Sequence, residues 1–208
     1  MLHLSTIEPA TLDLLKSILK LKEFKNFYLV GGTALSLKHG HRISVDLDLF
    51  STENFEKEEI LNAILDNFPN TVYKRDNNPV GIFCEIDGVK VDIIKHHFFK
   101  LIRNVDIIED VRMFSDEDIA AMKIFAILKR SKKKDFYDLE ILLRKFNLRQ
   151  IIDFYHQKYP DNMMLISIPQ AIIYFHDAEE DENPISISGQ TWESVKSTLQ
   201  KHVREFLA

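Results

Sequence analysis

The sequence predicts an α+β fold, with a mixed β-sheet in the N-terminal part (residues 1–114) and a helical C-terminal part (residues 115–208). Three observations carry this. Short apolar runs and two-residue alternation recur between Phe27 and Ile94, the period of strands. The pair Asp87-Gly88 separates two apolar segments, a tight-hairpin signal because both turn positions need positive φ. From Ser115 onward the apolar residues keep helical spacing instead.

In chain order, Leu12, Leu15, Ile18, Leu19 and Leu21 mark a helix over about 8–22. Phe27-Tyr28-Leu29-Val30 is a buried strand running into a Gly31-Gly32 turn, and Thr33–His39 is a short helix. Ser44–Phe50 alternates Val45, Leu47 and Leu49 against Ser44, Asp46 and Asp48, which is strand periodicity. Glu56–Asn67 returns to helical spacing, and Gly81–Ile94 is the hairpin. Ser115 is placed to cap a helix, with Asp118 near the N3 amide. Phe175–Gly189, acidic and then Pro- and Ser-containing, reads as a surface loop.

The 208 residues are 45% hydrophobic and 28% charged, ordinary for a globular protein with a sizeable core. A single cysteine, Cys84, excludes an internal disulfide framework and fits a reducing compartment. No apolar run approaches the roughly 20 residues a membrane helix needs, and Glu8 and Asp13 interrupt any signal-peptide pattern. The expected location is the cytoplasm, away from the membrane. A net charge of -5 excludes indiscriminate coating of nucleic acid. Contact with RNA would rest on the local patch Lys129, Arg130, Lys132, Lys133 and Lys134, against which the acidic Asp177–Glu182 stretch would repel phosphates.

Three acids can converge. Residues two apart in a strand share a face, about 6.7 Å apart, so Asp46 and Asp48 project together. Asp92 in the second hairpin arm joins them if the two strands are close. Three crowded carboxylates repel one another unless a cation lies between them, and hard oxygen ligands suit Mg²⁺ or Mn²⁺. Alternatively Asp46 and Asp48 form only the polar face of a half-exposed strand. Gly31-Gly32-Thr33 is either a plain tight turn or a phosphate cradle, where glycine permits close approach and a helix N-terminus offers free N–H groups. Arg42 either holds a triphosphate through its fork of donors or is a surface charge. Ser44 shares the face of Asp46 and can touch a phosphate. His39, His41, His96 and His97 read as solvated, with no metal role.

The run Phe27–Phe50, FYLVGGTALSLKHGHRISVDLDLF, resembles the AbiEii/AbiGii toxin family of nucleotidyltransferase-like proteins, within the DNA polymerase β-like superfamily. The likeness continues at Val89–Ile94, at Ala120–Leu143 with its Lys…Lys-Asp-x-x-Asp-Leu pattern, and at Tyr174–Pro184. Family members commonly carry threonine where Ser44 stands, which keeps the hydroxyl. The resemblance implies that Gly31, Gly32 and Thr33 contact nucleotide phosphates beside Arg42 and Ser44. It implies metal ligation by Asp46 and Asp48, with Asp92 the third acid. It implies that Lys123 neutralises triphosphate charge, and that Asp135, with Asp138 beside it, is a catalytic or orienting acid. Taken without the resemblance, Lys123 reads as a snorkelling surface lysine and Asp135 as a helix cap.

The expected function is Mg²⁺-dependent transfer of a nucleotide from an NTP to an acceptor. Family analogy names tRNA or another translation component as acceptor and toxicity, with an antitoxin from a neighbouring gene, as context. Two alternatives share the fold: an enzyme that transfers AMP to protein, and a non-catalytic nucleotide- or partner-binding module.

Overall fold

The computed structural model describes residues 1–73, 78–162 and 166–208. Strands form where β-branched and aromatic residues cluster: β1 (Phe27–Leu29), β2 (Leu47–Ser51), β3 (Thr71–Tyr73), β4 (Gly81–Ile86), β5 (Val89–Lys95), β6 (Asp106–Ile108) and β7 (Val111–Met113). They make one seven-stranded mixed sheet in the order β3-β4-β5-β2-β1-β7-β6. The β2–β5 and β1–β7 pairs are parallel and the rest antiparallel. The β4–β5 hairpin turns at Asp87 (φ 49°) and Gly88 (φ 81°), as the Asp-Gly signal requires.

The helices are α1 (Pro9–Lys20), α2 (Gly31–His39), α3 (Lys57–Asn67), α4 (Asp116–Arg130), α5 (Lys133–Leu143), α6 (Leu148–Lys158), the single turn α7 (Ile168–Ala171) and α8 (Trp192–Leu207). Ser115 Oγ caps α4 by accepting from the Asp118 amide at 3.1 Å. Buried Asp118 in turn pairs with the equally buried Lys158 Nζ at 2.7 Å, tying α4 to α6. Helix α4 also packs on α2 and α5, and α5 on α8. Leu29, Leu47, Leu49, Val91 and Ile93 from the sheet share one continuous core with Ile119, Ile124, Phe136 and Leu142 from the helices. The site therefore lies where α2, α4 and α5 meet the β2–β5 pair.

Three expectations are corrected. Ser44–Asp46 do not belong to β2, and Val45 is 55% exposed rather than packed beside Leu47. The backbone there bonds elsewhere: Ser44 N donates to Thr6 O and Ile43 N to Ile185 O, while Arg42 bridges Ser186. For the same reason the 175–189 segment is more than a surface loop, since it pairs with residues 41–43 and buries Ala178. His41 and His96 are buried, not solvated; His96 is packed among Phe50, Phe99 and Phe114.

Candidate active site

The glycine turn lies directly against the acids. Val30 N donates to Asp48 O at 2.9 Å, and Gly31 then adopts φ +70°, where a side chain is strained. A Cβ on Gly31 would come within 2.6 Å of Asp48 Oδ2, and one on Gly32 within 2.0 Å of Arg42 Nη2. A side chain at either position would have to displace Asp48 or Arg42. Next in the chain, Thr33 Oγ1 donates to Asp46 O. That hydroxyl proton being committed, Ser44 Oγ donates to Thr33 Oγ1 across 2.8 Å. The pair fixes the stretch leading into β2.

Asp48 and Asp92 are direct partners in the β2–β5 register, and paired residues of adjacent strands point to one face. Burial pushes the Asp48 carboxyl up, and the charge of Asp92 adds to it; Lys123 and Lys90 work the other way. Asp92 accepts from Lys90 Nζ at 2.9 Å through Oδ2, while its buried Oδ1 has no partner. Asp46 meets Lys134 Nζ at 3.1 Å. These groups surround an inner cavity of about 50 Å³ that Thr33, Lys123 and Arg130 also line. An outer cleft of about 410 Å³ opens beside Ser44 and Asp46, walled by Lys132–Lys134 and by Asp181–Ile185.

Behind the cavity is a buried charge network. Arg42 grips Asp138 with both prongs, Nε at 2.7 Å and Nη2 at 2.9 Å. His41 Nε2 lies 2.8 Å from the same carboxylate. Lys123 Nζ bridges Asp138 (2.6 Å) and Asp135 (2.8 Å), and Arg130 contacts both Asp135 oxygens at 3.0 and 3.1 Å. Burial opposes the ionised form of Asp138, but Arg42 and then Lys123 outweigh it and hold the carboxyl well below its ordinary range. Asp135 is lowered in the same way against burial, by Lys123 first and then Arg130.

The model of one family, the nucleotidyl transferase AbiEii toxin of type IV toxin–antitoxin systems, matches residues 13–205. This chain belongs to the AbiEii family. An uncharacterized protein of Aquifex aeolicus is 33% identical over 205 residues, covering 94% of this chain and 95% of its own length. Two solved structures share the fold. A candidate nucleotidyltransferase from H. pylori has TM-score 0.59 at 19% identity and covers 95% of both chains. The nucleotidyltransferase toxin MenT4 of Mycobacterium tuberculosis has TM-score 0.54 at 11% identity, covering 91% of this chain and 78% of that one. The AbiEii chain is thus a nucleotidyltransferase of toxin type, which implies an NTP substrate and a cognate antitoxin. Among the described residues no helix is long and apolar enough to cross a membrane.

Of the residues expected at the site, the fold brings Gly32, Thr33, Arg42, Ser44, Asp46, Asp48, Asp92 and Lys123 to one cavity, with Gly31 against Asp48 and Asp135 one layer behind. Arg42 is neither a surface charge nor a free fork, because Asp138 occupies it. Lys123 is buried rather than snorkelling, and Asp135 gives its carboxylate to Lys123 and Arg130 rather than capping α5. The five-residue basic patch does not stay together. Lys133 is buried, donating to Asp181 O at 2.6 Å and lying over the Trp192 ring. Lys132 pairs with Asp181, Arg130 with Asp135 and Lys134 with Asp46. Lys90 carries no expected role, though strand alternation sets it on the face of Asp92 two residues on; His41 is expected in solvent, and the 181–185 wall overlaps the family-like Tyr174–Pro184 run without an expected place at the site.

Among the described residues no three His, Cys, Asp or Glu side chains converge into a ready metal cage. The donor set nonetheless suits a hard divalent cation. Lys134 and Lys90 set ammonium groups on Asp46 Oδ2 and Asp92 Oδ2, where positive charge is needed beside Asp48.

Proposed function

We propose that this AbiEii-family chain transfers a nucleotide from an NTP to an RNA acceptor, tRNA, using Mg²⁺ or Mn²⁺. The observation that carries the reading is the register neighbours Asp48 and Asp92 lying against the glycine turn that opens α2. Asp46, Asp48 and Asp92 would hold the divalent cation, which would neutralise phosphate charge as it develops. In the transfer, an acceptor hydroxyl oxygen forms a bond to the α-phosphorus and the bond to pyrophosphate breaks. Gly31 and Gly32 admit the phosphates to the free N–H groups at the start of α2, and Thr33 and Ser44 hold that backbone in place. Asp92 Oδ1 is the open acceptor for the attacking hydroxyl's proton. Lys123 and Arg42, with Asp135 and Asp138, keep the wall of the site positive and rigid.

In this reading residues 1–114 form the catalytic part and residues 115–208 the helical part that closes the cleft, and the chain works in the cytoplasm against a cognate antitoxin. With Lys132 and Lys133 held by Asp181, exposed Lys129 and, while no nucleotide is bound, the cleft-mouth Lys134 are the cations left for RNA. The dispersal of the basic patch favours one second reading, AMP transfer to a protein.

The test is incubation with Mg²⁺, each α-phosphate-labelled NTP, total tRNA and cell protein, beside an Asp46→Ala/Asp48→Ala control. Label in tRNA from the unmodified protein alone supports the proposal. Label in protein promotes the second reading, and equal absence of label from both proteins defeats nucleotidyl transfer.

A further inference from the structure

Five cationic side chains line the inner cavity, and what holds them divides them into two sets. Arg42 and Lys123 are buried on Asp138 and Asp135, and Arg130 spans both oxygens of Asp135. Moving Arg42 or Lys123 toward a substrate would strip a buried carboxylate of a partner, which is strongly unfavourable; Arg130, although 54% exposed, is held by two hydrogen bonds to Asp135. Lys90 and Lys134 are different. Their side chains are 59% and 45% exposed, and among the described residues their ion pairs are with Asp92 (2.9 Å) and Asp46 (3.1 Å) alone.

Those two acids are among the three, with Asp48, that a divalent cation would take. A cation and an ammonium compete for the same carboxylate oxygens, so loading the site sets free two ammoniums on flexible four-carbon stems at the rim of a 50 Å³ cavity. Freed beside a phosphate-sized space, they have one suitable partner, the polyanion that enters with the cation. We propose that Lys90 and Lys134 bind the triphosphate of the NTP, and that they rest on Asp92 and Asp46 until the cation displaces them. The inference depends on the nucleotidyl-transfer reading and reassigns its charges. Arg42 and Lys123 shape the wall, while the two mobile lysines meet the substrate. Cation and triphosphate then favour each other's binding reciprocally.

The test uses Lys90→Met, Lys134→Met, the double variant and Lys90→Arg, whose exposed positions leave folding intact; melting curves check this. Mn²⁺ binding is measured by electron paramagnetic resonance without nucleotide. Binding of inorganic tripolyphosphate is then measured by calorimetry at saturating Mn²⁺. The Met variants should bind Mn²⁺ more tightly yet bind tripolyphosphate about ten-fold more weakly per lysine, the worth of one charge-assisted hydrogen bond. Lys90→Arg should keep most of the tripolyphosphate affinity. A purely structural role would move both affinities in one direction. Unchanged tripolyphosphate affinity in the Met variants, with the unmodified protein still binding NTP, overturns this inference and spares nucleotidyl transfer. An unmodified protein that binds neither NTP nor tripolyphosphate with Mn²⁺ overturns both.

Discussion

Asp138→Asn removes one charge from the buried network without changing its shape. Asp138 is fully buried and meets four donors: His41 Nε2, Arg42 Nε and Nη2, and Lys123 Nζ, all within 2.9 Å. Around it, two buried carboxylates (Asp135, Asp138) balance two buried cations (Arg42, Lys123), with Arg130 half-exposed at the edge; the variant leaves one buried positive charge uncompensated. Leaving a buried cation unpaired costs about 3–5 kcal/mol, a large share of the roughly 5–15 kcal/mol that holds a domain folded. At about 2–4 °C per kcal/mol for a chain of this size, the melting temperature should fall by about 6–20 °C.

Urea denaturation followed by circular dichroism at pH 7 measures the loss directly, and its pH dependence checks the cause. The folded-state carboxyl of Asp138 is depressed below its unfolded value, mainly by Arg42 and Lys123 against the penalty of burial. Its contribution is therefore complete above the unfolded pKa of about 3.9 and is lost as pH falls through the folded pKa. The stability gap between the two proteins should be flat from about pH 5 to 8 and close on acidification below about pH 4. A loss under about 1 kcal/mol at pH 7, or a gap that persists in acid, would refute the argument that this charge anchors the site.

Gly32→Ala would drive a Cβ to within 2.0 Å of Arg42 Nη2, whose fork Asp138 holds in place; thermal melts should show a loss of about 1–3 kcal/mol, with weaker NTP binding, and a neutral result would mean the turn yields. Burial, and then the Asp92 charge, push the Cys84 thiol up to about 12, so at pH 8 it should react with a disulfide reagent far more slowly in the native protein than in urea, and equal rates would contradict its placement. Burial, and then the Lys158 charge, hold His96 down at about 3; because the unfolded chain takes up that proton first, stability should fall by about 1.4 kcal/mol per pH unit from this group between about pH 6 and 3, a slope that His96→Phe should lack.

Features specified by a few adjacent residues were legible in the sequence. Asp87-Gly88 encodes its own turn, and Ser115 its own cap, because the groups they satisfy lie within three residues. The β6–β7 hairpin was not, since its strands are three residues long and its turn places Glu109 and Asp110 at positive φ without a glycine to announce it. Alternation over Ser44–Phe50 suggested one strand, but alternation does not reveal which backbone is nearby, and Thr6 claimed the amide of Ser44 while Ile185 claimed that of Ile43 just before it. The candidate site shows the same division. Asp46, Asp48 and the glycines stand in one motif, whereas His41 gains meaning only from Asp138, 97 residues along the chain; Lys90 shares a face of β5 with Asp92 two residues on, and alternation alone places it there.

The acidic stretch and the basic run were read as opponents, yet they are partners, and this sets the salt dependence of any RNA complex. Asp181 takes Lys132 through its carboxylate and Lys133 through its backbone carbonyl, while Arg130 is spent on Asp135. That leaves at most two of the five cations for RNA phosphates when no nucleotide is bound, Lys129 and Lys134. Each phosphate neutralised on a single strand contributes about 0.7 to the slope of log affinity against log salt. Binding to the single-stranded end of tRNA should therefore show a slope of about -1.4, against about -3.5 for five free cations. Asp181→Asn should loosen Lys132 and steepen the slope, since the same carboxylate that walls the cleft withholds that charge from the acceptor. A slope near -3.5 in the unmodified protein would mean that RNA pulls the acidic wall away, and that the cleft seen here is the closed form of the acceptor site.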